Sequence, residues 1–151
     1  GKEYVLLIKH HPFVKELPAI PDSCRDFAFQ VSGGLPIDEL LVVADVCVSD
    51  YSSLVFEYSL FGRPIIFYAY DLGDYNDWRG FYYDYNELTP GPVFEDSEAV
   101  VDWIEHIAER FDAEEVDAFR LKFMGSCDGH STDRVYRWLL DETRRPQEDR
   151  G

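Results

Sequence analysis

Residues 46–68 read VCVSDYSSLVFEYSLFGRPIIFY. The apolar runs at the two ends, 46–48 and 65–68, are short and uninterrupted, which is typical of parallel strands buried on both faces. The segment between them opens at Asp50-Tyr51-Ser52-Ser53 and has the composition of an apolar helix. Gly62 suits the left-handed position that follows a helix end. Because neighbouring parallel strands need a crossover connection, this order predicts a parallel sheet covered by helices.

The flanking sequence extends the pattern. Residues 4–8 predict a fully buried strand, residues 27–31 another strand, and residues 36–44 a short helix with Leu40 and Leu41 packed inward. The stretch from Ala69 to Pro92 lacks a helical period and predicts a long, functional loop. Helical patterns follow at 97–110, 113–123 and 132–143. We therefore predict an α/β fold, a Rossmann-like doubly wound parallel sheet with helices on both faces. One domain would cover residues 1–143, and residues 144–151 would form a charged, disordered tail.

The composition excludes several classes of function. At 151 residues and 46% apolar content, the chain can form one domain with a sizeable core. Its formal net charge of −16 opposes binding to nucleic acid or to an anionic membrane. The three cysteines and four histidines lack the spacing of a disulfide framework or a metal site. We expect no metal, no cofactor, no nucleic acid partner and a reducing cytoplasm.

Two further features limit the interpretation. The Walker A motif, the dinucleotide fingerprint and the nucleophile elbow are absent, which argues against P-loop phosphotransfer, nicotinamide chemistry and α/β-hydrolase activity. The first predicted strand begins within a few residues of position 1. This abrupt start predicts a fragment of a longer protein whose missing part lies upstream.

The candidate site begins at Ser52 and Ser53, where a predicted strand gives way to a helix. Backbone N–H groups at a helix start attract anions, and serine hydroxyls add hydrogen bonds to phosphate. Serine is equally an ordinary helix N-cap, so both interpretations stay open. Glu57 lies on the same helix face in an apolar segment, where its carboxylate needs a partner. A ribose hydroxyl and a salt bridge are the alternatives.

Other candidates lie at strand ends and turns. His11 follows the first strand, where an imidazole could neutralise phosphate or protonate a leaving oxygen, or could serve the structure alone. Arg79 and Gly80 lie in the long loop, suited to bidentate phosphate binding or to a cation–π contact that pins the loop. Asp128 and Arg134 flank the start of the last helix, where a turn and its cap are the simpler explanation.

In order and spacing these clusters resemble the C-terminal half of the CDP-glycerol glycerophosphotransferase family, the teichoic acid polymerases and primases. The resemblance runs from Tyr4 to about Leu140, and the ordered set is specific although each motif alone is not. The motifs are Lys9-His10-His11-Pro12, which matches a basic-x-His-Pro pattern; residues 44–53; residues 63–71; Arg79-Gly80-Phe81-Tyr82; Pro90-Gly91-Pro92; and Asp128-Gly129 followed by Arg134.

The resemblance implies the donor-binding half of a GT-B-type enzyme. Its donor would be CDP-glycerol, or CDP-ribitol in a sister branch. Glycerol phosphate would pass to a hydroxyl of a teichoic-acid-like cell-wall polymer, and CMP would leave as that hydroxyl attacks the β-phosphorus. By position, His11 would contact the donor phosphates and help to stabilise the leaving CMP, while Ser52 and Ser53 would bind phosphate. Arg79 with Gly80, Asp128 and Arg134 are weaker candidates for nucleotide contacts, and Glu57 for the ribose.

The resemblance also implies what lies outside this chain. The general base and the site for a polymer or lipid-linked acceptor would belong to the missing N-terminal domain. The chain alone should then bind nucleotide weakly and not turn over. The full-length protein would work in the cytoplasm at the inner face of the cell membrane, with any peripheral membrane attachment in the missing part.

Departures from the family pattern leave alternatives open. His130 stands where the family commonly has lysine, and His10 adds a second imidazole beside the expected one. The first alternative is the donor domain of a GT-B enzyme that transfers a sugar from a nucleotide-sugar. The second is a non-catalytic interaction module that kept the fold and lost the donor.

Overall fold

The computed structural model describes residues 4–72, 85 and 88–144, which belong to two compact units, Gly1–Ala44 and Asp45–Gly151. In the first unit, strands β1 (Leu6–Ile8) and β2 (Ala28–Gln30) pair in parallel, with Leu6 opposite Ala28. A 3-10 turn at Asp22–Cys24 precedes β2, and helix α1 (Ile37–Val43) closes the unit. Leu40 and Leu41 of α1 are buried, as predicted.

The second unit contains a three-stranded parallel sheet in the order β3-β4-β5 and most of the helices. Its elements are β3 (Cys47–Ser49), α2 (Leu54–Ser59), β4 (Ile65–Tyr68), β5 (Val93–Phe94), α3 (Ser97–Glu105), α4 (Ile107–Arg110), α5 (Ala113–Met124) and α6 (Ser131–Arg144).

Strand β4 lies at the centre of the core of this unit. Ile65, Ile66 and Phe67 are each at most 1% exposed, as expected for the middle strand of a parallel sheet. Ile66 packs with Val100 and Trp103 of α3. Helix α2 contacts β3 and β4. This burial confirms the strand predicted at 65–68. The strand predicted at 46–48 to be buried was wrong in part, because β3 lies at the edge of the sheet of this unit and leaves Val48 45% exposed.

Helices α2 and α5 are joined by aromatic packing. The ring of Phe56 lies 5.3 Å from that of Phe119 and 5.5 Å from that of Phe123. Helix α5 begins where the side chain of Asp112 accepts a hydrogen bond from the backbone N–H of Glu114 (2.9 Å), an ordinary N-cap. The chain leaves α2 through Gly62, whose φ of 61° is the predicted left-handed conformation.

Several predictions about elements were wrong. The strand predicted at 4–8 to be fully buried is half exposed, with Leu6 and Leu7 at 46% and 43%. In its unit β1 pairs with β2 in a two-stranded sheet, and so small a sheet leaves side chains uncovered. Each unit has its own parallel sheet among the described strands, of two strands in the first unit and three in the second. Strand β5 was missed because two residues are too few to show a pattern.

The helix predicted at 97–110 is interrupted at His106. Its imidazole Nδ1 donates to the carbonyl oxygen of Asp102 (2.8 Å), the acceptor that the backbone N–H of residue 106 would use in a continuous helix. The backbone N–H of His106 instead donates to Trp103, and a new turn begins at Ile107. A side chain that takes a backbone acceptor therefore divides the segment into α3 and α4.

The last helix, α6, is present as predicted, but it is largely open to solvent. Val135, Trp138 and Leu139 are 56%, 60% and 49% exposed. Within the described ranges, no helix combines the length and apolar character that a membrane crossing needs. Of the tail predicted at 144–151, only Arg144 is described, at the end of α6.

Candidate functional site

The turn between β3 and α2, residues 50–53, lies at the carboxyl end of the parallel sheet, the edge where open α/β sheets bind ligands. Ser52 and Ser53 are both exposed. The Oγ of Ser52 accepts a hydrogen bond of 3.3 Å from the backbone N–H of Leu54. Ser53 occupies the N-cap position of α2 but makes no side-chain cap bond. The capping explanation therefore holds weakly for Ser52 and not for Ser53.

The turn is tied to its neighbours by residues that were not predicted to belong to the site. The hydroxyl of Tyr51 donates to Oδ1 of Asp71 at 2.7 Å, and the hydroxyl of Tyr85 donates to the carbonyl oxygen of Asp50 at 3.1 Å. Burial, followed by the hydrogen bond to Asp71, raises the pKa of Tyr51 well above its usual range. Its phenol therefore stays protonated, and remains a donor, throughout the physiological range.

The expectation that Glu57 needs a partner was wrong. Glu57 projects from α2 to an exposed position, so water solvates its carboxylate and no buried charge has to be compensated. No ion pair of Glu57 occurs among the described residues, so the salt-bridge alternative is not realised there. Its assignment to a ribose hydroxyl stays a prediction.

His11 lies in the first unit, three residues after the end of β1. Its Nδ1 accepts a hydrogen bond of 3.2 Å from the backbone N–H of Phe13, and its ring meets that of Phe13 edge-on at 4.8 Å. Because Nδ1 is the acceptor, the proton of the neutral imidazole belongs on Nε2. The exposed ring therefore presents an N–H group that can donate a hydrogen bond to a phosphate oxygen.

Lys9 and His10, which precede His11 in the motif, have different surroundings from His11. The ammonium group of Lys9 donates to the carbonyl oxygens of Ser32 (2.8 Å) and Leu35 (2.7 Å). The basic residue of the motif thus fastens the 32–35 turn. His10, the second imidazole, has a buried Nε2 without a hydrogen-bond partner in the described part of the chain.

Asp128 and Arg134 are brought together at the start of α6. The guanidinium of Arg134 donates to both carboxylate oxygens of Asp128 at 2.8 Å, and also to Ser131 and to the carbonyl oxygen of Ser126. The backbone N–H of His130 donates to Asp128 at 3.0 Å. These bonds, that from Arg134 first, lower the pKa of Asp128. The pair closes the turn, and a contact of either residue with nucleotide stays a prediction.

Arg79 and Gly80 lie outside the described residues. A cavity of about 550 Å³ in the second unit is lined by Thr89–Gly91 and by Phe119, Lys122 and Phe123 of α5. Because residues 89–91 precede β5, this cavity lies towards the amino-terminal edge of the sheet, away from the serine turn. No cluster of three His, Cys, Asp or Glu suited to a metal is found in residues 4–72, 85 and 88–144.

Comparison with known proteins connects the whole chain to one group. Residues 1–141 match the family described as CDP-Glycerol:Poly(glycerophosphate) glycerophosphotransferase. The chain is 40% identical over 147 residues to the teichoic acid poly(ribitol-phosphate) polymerase of Bacillus spizizenii. The aligned residues cover 97% of the chain and 23% of that protein. It is 39% identical to the teichoic acid glycerol-phosphate transferase of Staphylococcus aureus, over 88% of the chain and 34% of that protein.

A solved structure gives the same result for the fold. The wall teichoic acid polymerase TagF superposes with a TM-score of 0.76 at 27% identity, over 92% of this chain and 34% of that one. This match confirms the predicted fold class, an α/β structure of GT-B type built from parallel sheets and helices. The chain thus spans only about a quarter to a third of the length of the relatives named here. The chain belongs to the CDP-glycerol:poly(glycerophosphate) glycerophosphotransferase family.

Proposed function

We propose that this chain is the donor-binding part of a transferase that moves a polyol phosphate from a CDP-activated donor to a hydroxyl of a teichoic-acid-type polymer. Family membership and the names of the relatives support the reaction class. The observation that carries the assignment to this chain is the turn at 50–53. It presents two exposed serines at the carboxyl edge of a parallel sheet, and the hydroxyl of Ser53 takes no part in capping α2.

The proposed reaction is a displacement at the β-phosphorus of the donor. A bond forms between the acceptor oxygen and the β-phosphorus, and the bond from that phosphorus to the bridging oxygen breaks. CMP leaves with the electron pair, and the proton of the acceptor hydroxyl passes to a general base. We assign that base, and the acceptor site, to the part of the full-length protein outside this chain.

Within this reaction the chain binds the donor and stabilises charge. Ser52 and Ser53 donate hydrogen bonds to donor phosphate oxygens. His11 donates from Nε2, the nitrogen left free by the bond between Phe13 and Nδ1, and offsets the charge that develops on the leaving CMP. Arg79 with Gly80, Asp128 and Arg134 remain weaker candidates for nucleotide contacts, and Glu57 for the ribose.

The donor is CDP-glycerol or CDP-ribitol. Both polyols occur in the names of relatives, so the family does not distinguish them. We further propose that the full-length protein works in the cytoplasm at the inner face of the membrane and is attached peripherally through regions outside this chain. The polymer or lipid-linked acceptor would be bound there too.

The test is calorimetric titration of the chain with CDP-glycerol, CDP-ribitol, CDP and UDP. We expect cytidine-selective binding that the Ser52→Ala/Ser53→Ala and His11→Ala variants weaken by roughly tenfold for each lost hydrogen bond to a charged phosphate. Ser97→Ala is the matched serine control, because Ser97 is an exposed residue at the start of α3, where Asp96 already provides the cap.

The outcomes separate the alternatives. Preference for UDP would favour the nucleotide-sugar transferase. A folded chain that binds no nucleotide would contradict the proposed role of this chain. If Ser52→Ala/Ser53→Ala and Ser97→Ala lose the same nucleotide affinity, the serine turn is not part of the site. The reaction class, which rests on family membership, would be unaffected.

A further inference from the structure

The turn at 50–53 has little support of its own. Helix α2 is short, its N-cap residue makes no side-chain cap bond, and the Ser52 bond to the N–H of Leu54 is long at 3.3 Å. Short helices are held mainly by tertiary packing and not by their own propensity. The geometry of Ser52 and Ser53 must therefore be set by contacts with other elements.

One such contact comes from the end of the neighbouring strand. Tyr51 follows β3 and Asp71 follows β4, and the two strands are paired in parallel with Ser49 opposite Phe67. Parallel strands bring their carboxyl ends to one edge, so these residues meet there. The resulting hydrogen bond, 2.7 Å from Tyr51 Oη to Asp71 Oδ1, joins a phenol to a carboxylate and belongs to the stronger class of hydrogen bonds.

The second contact anchors the turn to the core. Tyr85 is 8% exposed, and its ring lies edge-on to that of Phe67 at 6.2 Å and tilted against that of Tyr51 at 5.5 Å. From this fixed position its hydroxyl donates to the carbonyl oxygen of Asp50. Tyr51 is thus held through its side chain, and Asp50 is held through its backbone carbonyl.

We infer that Tyr51, Asp71 and Tyr85 are positioning residues, which hold the 50–53 turn in the conformation that presents the serine hydroxyls to the donor phosphates. Tyr51 belongs to the turn, and Asp71 and Tyr85 hydrogen-bond to it from outside. This inference rests on the proposed function. It adds three residues, two of them distant from the turn in sequence, to the determinants of donor affinity.

The closing experiment uses Tyr51→Phe, which keeps the ring against Tyr85 and removes only the hydroxyl. We expect a roughly tenfold loss of CDP affinity, the size of one charge-assisted hydrogen bond, with cytidine affinity unchanged because cytidine has no phosphate. Asp71→Ala should behave alike, and Asp71→Asn should recover part of the affinity because its amide oxygen still accepts. Tyr70→Phe is the control, since Tyr70 is 67% exposed beside Asp71.

A double-mutant cycle separates positioning from general destabilisation. If Tyr51 acts through the serines, Tyr51→Phe costs no further CDP affinity once Ser52 and Ser53 are alanines. A merely structural role would instead lower affinity in both backgrounds. Amide hydrogen exchange in the ligand-free chain provides a second readout. Tyr51→Phe should speed exchange at residues 51–54 and leave α5 unchanged.

Each result is decisive. If the wild-type chain binds CDP and Tyr51→Phe binds it equally well, the inference is overturned and the proposed function stands. Faster exchange at the turn without loss of affinity would show a structural clamp that does not position the site, and would overturn it too. A wild-type chain that binds no CDP would overturn the proposed function, and this inference with it.

Discussion

Among single residues, the cysteines show how burial sets chemistry. Cys47 in β3 is 8% exposed, and burial raises its pKa to about 11, whereas Cys127 is exposed in the turn before α6. The thiolate is the nucleophile that attacks a disulfide reagent, so at pH 8 only a small fraction of Cys47 is reactive. We expect a disulfide reagent to modify Cys127 rapidly in the native chain and Cys47 only after denaturant is added.

The assignment is checked by replacing each thiol in turn. In a chain whose third, partly exposed thiol is removed by Cys24→Ser, Cys127→Ser should remove the fast phase, and Cys47→Ser should remove the phase that requires denaturant. Rapid native labelling of Cys47 would show that β3 opens readily, which would contradict the burial of this thiol.

The Asp128–Arg134 pair gives a prediction about pH. The neighbouring guanidinium lowers the pKa of Asp128 below its ordinary value, so the ionised carboxylate stabilises the folded turn. This stabilisation is present above the ordinary carboxyl pKa and is lost as the pH falls through the lowered one. A carboxyl-detected NMR titration should find Asp128 titrating at a lower pH in the wild type than in Arg134→Ala.

Arg137→Ala is the control for that titration, because Arg137 is an exposed arginine of the same helix and is not among the partners of Asp128 in the described part of the chain. It should leave the Asp128 titration where the wild type has it. If Arg134→Ala also left it there, the ion pair would not be formed in solution.

At the scale of elements, the connection from α2 to β4 depends on Gly62. A residue with a Cβ at its φ of 61° is strained by about 1–2 kcal/mol. Gly62→Ala should therefore lower the free energy of unfolding by about that amount in a urea titration, and Gly62→Asn by less. Gly33→Ala should change it little, since Gly33 has no left-handed φ and a Cβ there would meet nothing within 4 Å. Equal effects of the two alanines would refute the backbone argument.

The elements also show which features a sequence reveals. Residues 65–68 were predicted as a strand with the bounds that β4 has, because a continuous apolar run between a proline and a polar loop has one simple explanation. The break at His106 was not foreseen, since its cause is a side-chain bond to the carbonyl of Asp102 that no periodicity reports. Strand β5 exists only through its pairing with β4.

In the candidate site, too, local patterns could be predicted from the sequence and contacts between elements could not. Ser52 and Ser53 were recognisable because a strand end followed by serines is a local pattern. The contact of Tyr51 with Asp71 depends on which strands are neighbours and in what register, so local sequence could not give it. The parallel pairing predicted for β3 and β4 would have suggested it, had the residues after both strands been compared.

At the scale of the whole molecule, the net charge predicts how the chain behaves towards membranes. A formal net charge of −16 repels anionic surfaces at low ionic strength. The chain should therefore not sediment with phosphatidylglycerol vesicles in about 20 mM salt, where the Debye length is of the order of 20–30 Å. Neutral phosphatidylcholine vesicles serve as the reference. Binding to the anionic vesicles alone, abolished by salt, would reveal a local basic surface and contradict this prediction.

Two tryptophans occupy opposite environments in the second unit. Trp103 is 7% exposed in the α3 core, and Trp138 on α6 is 60% exposed. In a chain with Trp78 replaced by phenylalanine, these indoles become separate optical reporters. Acrylamide should quench the red-shifted emission of Trp138 and spare the blue-shifted emission of Trp103. The colour of the fluorescence would then tell whether an added binding partner covers α6 or whether denaturant has opened the sheet.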